Sequence, residues 1–496
     1  MLEHGGGEDD PNLYVRLAHA LVGAGRAAEA AGAYLAAAAL ANPDERTTLE
    51  LEAADQMMRS GHVDQGLDII QRVLPTLGMS YPRSQAAAVL SVAWRRARVR
   101  LRGLGYRPRD ERDVPASVMR RLDACWMVSV GLGVVDPMRG ADFQARHLLL
   151  ALDTGEPRRV ARSLAAEAAF AATRGRGASE RIEKLLADAA ELAARHDDAY
   201  GRAWTMAAGG IAAFLLGRWR EARERCAQAE RELRARCVGA SWEISTTQIF
   251  GFRARVQLGE LRGLDAHLEQ LVREARARGD VHAPSHLLGG HAHFVALAAD
   301  DPERARRDSR DSLSRWARSG YRVPHAFDLW AMTQTDLYDG DAAAAWKRVE
   351  EGWPALRASR LLNVELIRLF MTSTRARAAI AAAAKGLEVS RTVEIAADAA
   401  AQLEREPAHW ARPHAAMIRA GLAGVRGDAV ERARLLAVAA DGFAACDMVL
   451  AAISARLRRG LALATPEGAD LAAQAIAELR ERTVKQPEKL AAMLVP

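Results

Sequence analysis

The chain has 496 residues and a net charge of +6, and half of its residues are hydrophobic although only 5% are aromatic. Because Ala and Leu supply the hydrophobicity, this composition argues against a β-rich protein, and 27% charged residues argue against disorder and an integral membrane protein. The small positive excess gives no strong field of the kind that nucleic-acid binding requires, so we expect no nucleic-acid partner.

The N-terminus and the cysteines indicate the compartment. The start, MLEHGGGEDDPN, lacks the basic and apolar regions of a signal peptide, so we expect residues 1–10 to be a flexible tail. The longest uncharged apolar stretch, Ala203 to Gly217, is shorter than the roughly 20 residues that span a membrane. The four cysteines are far apart and form no CxxC motif, which favours reduced thiols in a cytoplasmic protein.

Nearly every segment after the tail has the pattern of a helix, because apolar residues recur at three- and four-residue spacing with charged residues between them. Turn signals separate these segments at regular intervals. They lie at Gly23–Gly25, Gly61, Gly217, Gly259, Asp300–Pro302, Gly340–Asp341 and Gly427–Asp428. Sustained alternation of apolar and polar residues is absent, and strands that alternate with helices are absent too, which argues against a parallel α/β sheet.

The predicted helices come in pairs with one internal spacing. In the segment from Ala203 to Ala235, Gly210 lies on the first helix and Gly217 forms the turn. The second helix carries three small residues, Ala222, Cys226 and Ala229. This is the layout of a tetratricopeptide repeat, in which small residues lie where the two helices approach closely.

The same spacing returns around Gly25, Gly61 and Gly340, and it is degenerate near Asp428. An Ala-rich bundle whose spacing matches by chance is the alternative, but recurrence at a similar period favours repetition. We therefore predict an all-α fold, an α-solenoid of stacked antiparallel hairpins that forms a tetratricopeptide-like superhelix. About thirteen hairpins would occupy the chain.

The clearest irregularity runs from Trp94 to Pro115, where an Arg-rich helix ends and a charged loop follows. We therefore predict N-terminal helical hairpins over residues 11–110 and the superhelical array over residues 111–496. A second candidate break lies around Gly386.

Motifs for catalysis are missing from the sequence: it contains no Walker A loop, kinase catalytic loop, GxSxG elbow or HExxH pair. We expect no catalytic residue and no cofactor. One cluster of histidines, His282, His286, His291 and His293, has spacing that a metal could use. Pro284 interrupts this spacing and no carboxylate or Cys completes a ligand set, so we expect solvated or packed histidines and no metal site.

The Arg-rich helix offers the one candidate surface for a partner. Arg95, Arg98 and Arg102 fall on one face, which could contact an acidic partner, an anionic membrane surface or nucleic acid. The composition favours a simple solvated face, because aromatic residues for base stacking are missing apart from Trp94 and Tyr106. We retain the three arginines as the candidate partner-binding residues.

Several long segments carry a family resemblance. They are Arg121–Leu152, GRWREARERCAQAE, SWEISTTQIF, the segment that begins FDLWAMTQTDLYDGD, GFAACDMVLAAISARLRRG and the final QPEKLAAMLVP. In these segments, and from about Arg26 to the end, the chain resembles the C-terminal helical-repeat region of large bacterial serine/threonine protein kinases. Those kinases carry a kinase domain and an ATPase module upstream of the repeats, and this sequence contains neither.

The resemblance implies that catalytic and nucleotide-binding residues lie in the missing upstream domains. It also implies a region that senses or docks other proteins, such as a kinase or an ATPase. Because a stack of hairpins has a concave inner wall, we predict a non-enzymatic protein-interaction and regulatory module of kinase signalling that binds a peptide or helix in this groove. The alternatives are a detached C-terminal part of a kinase–ATPase polypeptide and a ligand-sensing repeat domain of a signalling ATPase.

Overall fold

A computed structural model describes residues 10–133, 135–314 and 320–496 of the chain. These residues form 25 α-helices and no strand, which confirms the predicted all-α class. The flexible tail predicted for residues 1–10 lies outside the described residues except for Asp10, whose carboxylate accepts a hydrogen bond from the backbone N–H of Asn12. No helix in these ranges has both the length and the apolar character that crossing a bilayer requires.

The helices are numbered in chain order. Helices α1 to α9 are Pro11–Gly23, Ala27–Leu40, Pro43–Arg59, Val63–Val73, Gln85–Arg102, Ala116–Gly133, Pro137–Thr154, Pro157–Ala172 and Ser179–Arg195. Helices α10 to α16 are Ala199–Leu215, Trp219–Arg236, Ser241–Gln257, Leu264–Ala277, His282–Leu288, Ala292–Ala298 and Pro302–Leu313. Helices α17 to α25 are Val323–Tyr338, Ala342–Ala358, Glu365–Ala384, Val389–Arg405, Ala411–Val425, Ala429–Ala445, Val449–Leu463, Pro466–Glu481 and Pro487–Leu494.

Consecutive helices pack as antiparallel hairpins, and we call the first helix of each pair the inner helix. From α8 onward the inner helix is more buried than the second helix of the pair. The described ranges contain eleven hairpins, since α14 and α15 together form one inner arm and α5 and α25 stand outside the pairs. The number is below the predicted thirteen because α5 and its flanking loops interrupt the array. The candidate break at Gly386 is an ordinary turn between α19 and α20, which pack together.

The repeat spacing predicted from the sequence corresponds to real close contacts. The predicted turn glycines have positive φ values, as at Gly217 (75°) and Gly340 (78°), a conformation that residues with a side chain rarely adopt. A Cβ atom at Gly210 would lie 2.6 Å from the Sγ atom of Cys226, so only glycine permits α10 to approach α11 this closely. All four cysteines are free thiols.

The hairpins wind into a superhelix whose successive turns touch at a fixed interval. The loop after the inner helix of one hairpin contacts the start of the inner helix five hairpins later. Backbone N–H groups donate to carbonyls across this contact: Val281 to Ser60 (2.8 Å), Val323 to Val135 (3.3 Å) and Glu365 to Thr173 (2.9 Å). Lys485, just before the unpaired helix α25, makes an equivalent bond to Ala298 at the end of α15 (2.8 Å). Each turn of the superhelix therefore holds five hairpins.

This tight winding fills the axis of the superhelix. Most residues of α10, α12, α17 and α19 are buried on all sides rather than along one face. Aromatic side chains of the inner helices meet there; Trp330 stacks on Phe370 with ring centroids 5.1 Å apart. In the described part of the chain the inner faces pack against one another rather than line an open concave groove, and the binding of a peptide or helix in such a groove stays a prediction.

The boundary predicted near residue 110 stays a prediction. Helices on its two sides share one hydrophobic cluster, in which Met58 of α3 and Ile70 of α4 lie with Cys125 of α6 and Phe143 of α7. The segment between them holds α5 and a short 3-10 turn at Glu111–Asp113. The irregular segment of the sequence is thus an insertion around which the core continues.

The contact between successive turns can be tested at Gly217, which has a positive φ and whose added Cβ would overlap the indole ring of Trp410. We expect Gly217→Ala to lower the free energy of unfolding by about 2–4 kcal/mol, because backbone strain and steric overlap add. The matched control is Gly340→Ala, which has a similar φ and open space around the new Cβ. Gly340→Ala should lower the free energy of unfolding by only about 1–2 kcal/mol. Chemical unfolding measures both values, and equal losses would contradict the contact.

Candidate functional site

Helix α5 is the one long helix that lacks a hairpin partner in the described chain. The hydroxyl of Ser84 caps its N-terminus by accepting a hydrogen bond from the backbone N–H of Ala87 (3.1 Å). Only Ala88 and Val99 of this helix are buried, and this side packs against α7. The remaining surface of α5 therefore forms part of the outside of the superhelix.

Arg95, one of the three predicted partner-binding residues, anchors α5 to α7. Its Nε atom lies 3.1 Å from an oxygen of Asp142, whose side chain is fully buried. The same carboxylate contacts Arg146 (2.7 Å) and accepts a hydrogen bond from the hydroxyl of Ser91 (2.6 Å). Arg95 therefore neutralises a buried charge within the chain, which is a structural role.

The other two predicted residues have different environments. Arg102 forms an ion pair with Asp153 of α7 at 2.8 Å and donates to the carbonyl of Gly105. Arg98 is exposed, and no ion pair or hydrogen bond involves it in the described residues. Of the three arginines, only Arg98 is thus free to contact another molecule.

The exposed side of α5 carries an apolar stripe, which we define as Leu90, Trp94 and Leu101. Their exposed fractions are 71%, 66% and 90%, and their spacing puts them on one face. Arg98 lies beside this stripe on one side and Arg100 on the other, and the helix has no acidic residue. Large exposed apolar patches with a polar rim are typical of protein-interaction sites.

This stripe was not predicted from the sequence, because the prediction of partner-binding residues rested on the arginines of α5. The apolar residues have helical spacing, but spacing alone does not show which face of a helix is covered. The buried Asp142 fixes that orientation by holding Arg95 and Ser91 against α7. The stripe then points away from the core.

A second feature is a cavity of about 120 Å³ on the axis of the superhelix. It lies between α6, α8, α10 and α12 of one turn and α17 and α19 of the next. Most of its wall is apolar, and its aromatic side chains include Trp204, Phe214, Trp242, Phe250 and Phe327. The cavity therefore lies at the contact between successive turns.

Among the described residues, Arg253 is the one basic side chain at the wall of this cavity, and it is only 5% exposed. Its guanidinium lies over the ring of Phe327, 4.8 Å from the centroid, and Nη2 donates to the carbonyl of His286 (3.2 Å). No carboxylate pairs with it in the described residues. Loss of hydration on burial lowers the pKa of Arg253 to about 10, so this cation is buried without a counter-ion.

The histidines that suggested a metal are part of the core. His291 packs on Trp330 (4.8 Å between ring centroids), and its Nε2 atom lies 3.1 Å from the side-chain nitrogen of Gln257. Burial lowers the pKa of His282 to about 4 and that of His293 to about 3. In the described ranges no group of three or more His, Cys, Asp or Glu side chains is placed to hold a metal ion.

The two roles assigned to the arginines of α5 predict different effects on stability. Arg95→Met leaves the buried Asp142 with one cation fewer, so we expect it to lower the free energy of unfolding by about 1–3 kcal/mol. Arg98→Met should change it by less than about 0.5 kcal/mol, because this side chain is exposed. Chemical unfolding distinguishes the two, and similar losses for both variants would refute the assignment.

The buried histidines predict acid sensitivity. Burial lowers the pKa of His147 to about 3, whereas a histidine in an unfolded chain has a pKa of about 6.5. Between these values the unfolded state binds a proton that the folded state does not, so this histidine costs stability as the pH falls. We expect the free energy of unfolding of His147→Leu to fall less steeply than that of the wild type between pH 5.5 and 4, by about 1.4 kcal/mol per pH unit.

Urea unfolding at a series of pH values measures this difference. Above pH 7.5 the gap between the two proteins should be constant, because His147 is then neutral in both the folded and the unfolded state. Parallel curves throughout the acid range would show that His147 is protonated in the folded protein.

Comparison with known proteins adds no family to these observations. No protein-family model matches the sequence, and a search of curated proteins finds no significant match. The resemblance to kinase-associated repeat regions therefore stays a prediction from the sequence.

Proposed function

We propose that this chain is a non-enzymatic interaction module that binds an acidic amphipathic helix of another protein on the exposed face of α5. The observation that carries the proposal is the apolar stripe of Leu90, Trp94 and Leu101 between Arg98 and Arg100. Such a stripe matches the apolar face of a partner helix, as in other helix-binding surfaces.

The chemistry of α5 defines the partner. Trp and Arg are the residues that most often dominate the energy of protein interfaces, and Trp94 offers a large aromatic surface at the centre of the stripe. The helix has five arginines and no acidic residue, so an acidic partner is electrostatically complementary. Arg98 and Arg100 would form the rim, where charge speeds association more than it raises affinity.

Two other observations favour the outer surface of the superhelix over its inner surface as the place where a protein partner binds. The inner helices are buried on the axis, so an extended peptide has no open wall to follow. Every other long helix packs in a hairpin, whereas α5 has one covered side. We include in the proposal the association with bacterial serine/threonine kinase signalling, with a kinase or ATPase as the partner; the sequence resemblance alone supports this part.

Site-specific photo-crosslinking in the source cells tests the proposal. A benzophenone amino acid at Ala93, an exposed neighbour of the stripe, should form an adduct with another protein. Leu101→Glu should abolish that adduct, because it places a carboxylate in the apolar stripe. Val430→Glu is the matched control, since Val430 is also highly exposed (83%) but lies on α22; it should leave the adduct unchanged.

The identity of the adduct decides the outcome. Mass spectrometry should identify a partner peptide that has acidic residues and apolar residues at helical spacing. An adduct between two copies of this chain, a basic partner segment, or an adduct that survives Leu101→Glu would refute the proposal.

A further inference from the structure

Three residues that line the cavity on the superhelix axis each have a buried hydrogen-bond donor with no partner in the described residues. The donors are Nε of Arg253, Oγ1 of Thr246 and Nε1 of Trp204. Buried polar groups in folded proteins are nearly always paired, and leaving one unpaired costs about 1–3 kcal/mol. A ligand that carries an acceptor oxygen would pair with such groups.

Helix α12 supplies most of this arrangement. Trp242, Thr246, Phe250 and Arg253 occupy one face of the helix, and all four line the cavity. Trp204 of α10 and Phe327 of α17 also line the cavity. The cavity thus has an apolar body with a cation and a hydroxyl along one side.

The volume limits the size of a ligand. An engineered apolar cavity of about 150 Å³ in another protein holds a benzene ring, and this cavity of about 120 Å³ is slightly smaller. A small ring or a short aliphatic chain is therefore the largest apolar body expected here, and its carboxylate would lie at the cationic side. A larger body would require the walls to move.

We propose that this cavity is a binding site for a small apolar monocarboxylate, whose carboxylate pairs with Arg253 and Thr246 while its hydrocarbon part packs against the aromatic walls. Arg253 matches the planar geometry of a carboxylate and forms charge-assisted hydrogen bonds that are stronger than neutral ones. The inference goes beyond the docking of a protein on α5 and does not depend on it.

Arg377 provides an internal comparison. It is likewise buried (4% exposed) and has no carboxylate partner in the described chain. Its guanidinium nevertheless donates to three acceptors: the carbonyl of Met493 (3.1 Å), Oε1 of Gln334 (3.1 Å) and Oγ1 of Thr374 (2.9 Å). The chain's own groups thus supply three acceptors to Arg377 but only one, a backbone carbonyl, to Arg253. The Nε atom of each guanidinium has no partner in the described residues.

Because of the position of the cavity, a bound ligand would stabilise the contact between two turns of the superhelix. Its walls come from α10 and α12 of one superhelical turn and from α17 and α19 of the next. A ligand would contact both turns at once and would favour the wound state of the array. Because it binds the folded chain only, it should raise the unfolding temperature as its concentration rises.

Calorimetry and thermal unfolding of the full chain with benzoate and hexanoate test the site, and benzyl alcohol and hexanol serve as uncharged probes. We expect the two carboxylates to bind and to raise the unfolding temperature, and the two alcohols to have little effect. Arg253→Met should weaken benzoate binding at least tenfold, and Thr246→Val by a smaller factor. Arg377→Met is the matched control and should bind benzoate as the wild type does.

Several results would overturn the proposal. These are no binding of either carboxylate at millimolar concentration, equal binding of benzoate and benzyl alcohol, or unchanged affinity in Arg253→Met. If Arg253→Met does not fold, Thr246→Val and Arg253→Lys decide the question. Thr246→Val should weaken binding, and Arg253→Lys should retain part of the affinity because it keeps the charge; unchanged affinity in Thr246→Val or complete loss in Arg253→Lys would refute the assignment.

Discussion

The contact between each inner-helix loop and the inner helix five hairpins later is the constraint on which the rest of the structure depends. In an open repeat array a hairpin touches only its neighbours, and stability is a sum of local terms. Here the hydrogen bond from Val281 to Ser60 and its equivalents join residues about two hundred positions apart. The inner faces become a shared interior, and the array acquires long-range contacts that are typical of a globular domain.

This closure determines what the interior can contain. Histidines that would be solvated on an open inner wall are buried with lowered pKa values, as at His282 and His293. Arg253 and Arg377 are buried with them, and the chain supplies one acceptor to the first and three to the second. With the interior closed, α5 offers the apolar surface that an open groove would otherwise provide to a protein partner. Docking on the outside and a small ligand inside are therefore compatible roles of one molecule.

Local features of this fold were predictable from the sequence. Close approach at Gly210 and Cys226 and the positive φ at Gly217 follow from residue size and backbone freedom at single positions. The contact between successive turns of the superhelix was not predictable, because it results from small rotations between hairpins that accumulate over five hairpins. The candidate site was predicted only in part: Arg98 lies beside the exposed stripe, but the orientation of α5 depends on Asp142, which is far away in the sequence.

The separation of five hairpins between each loop and the helix that it contacts also restricts how such a protein can change in evolution. Open solenoids gain or lose repeats easily, because each unit is interchangeable with the next. In this chain, deletion of one hairpin would change the partner of every loop whose distant helix lies beyond the deletion, as for Ser60 and Val281 when a hairpin between them is lost. Geometry therefore constrains the repeat number more than it does in an open solenoid.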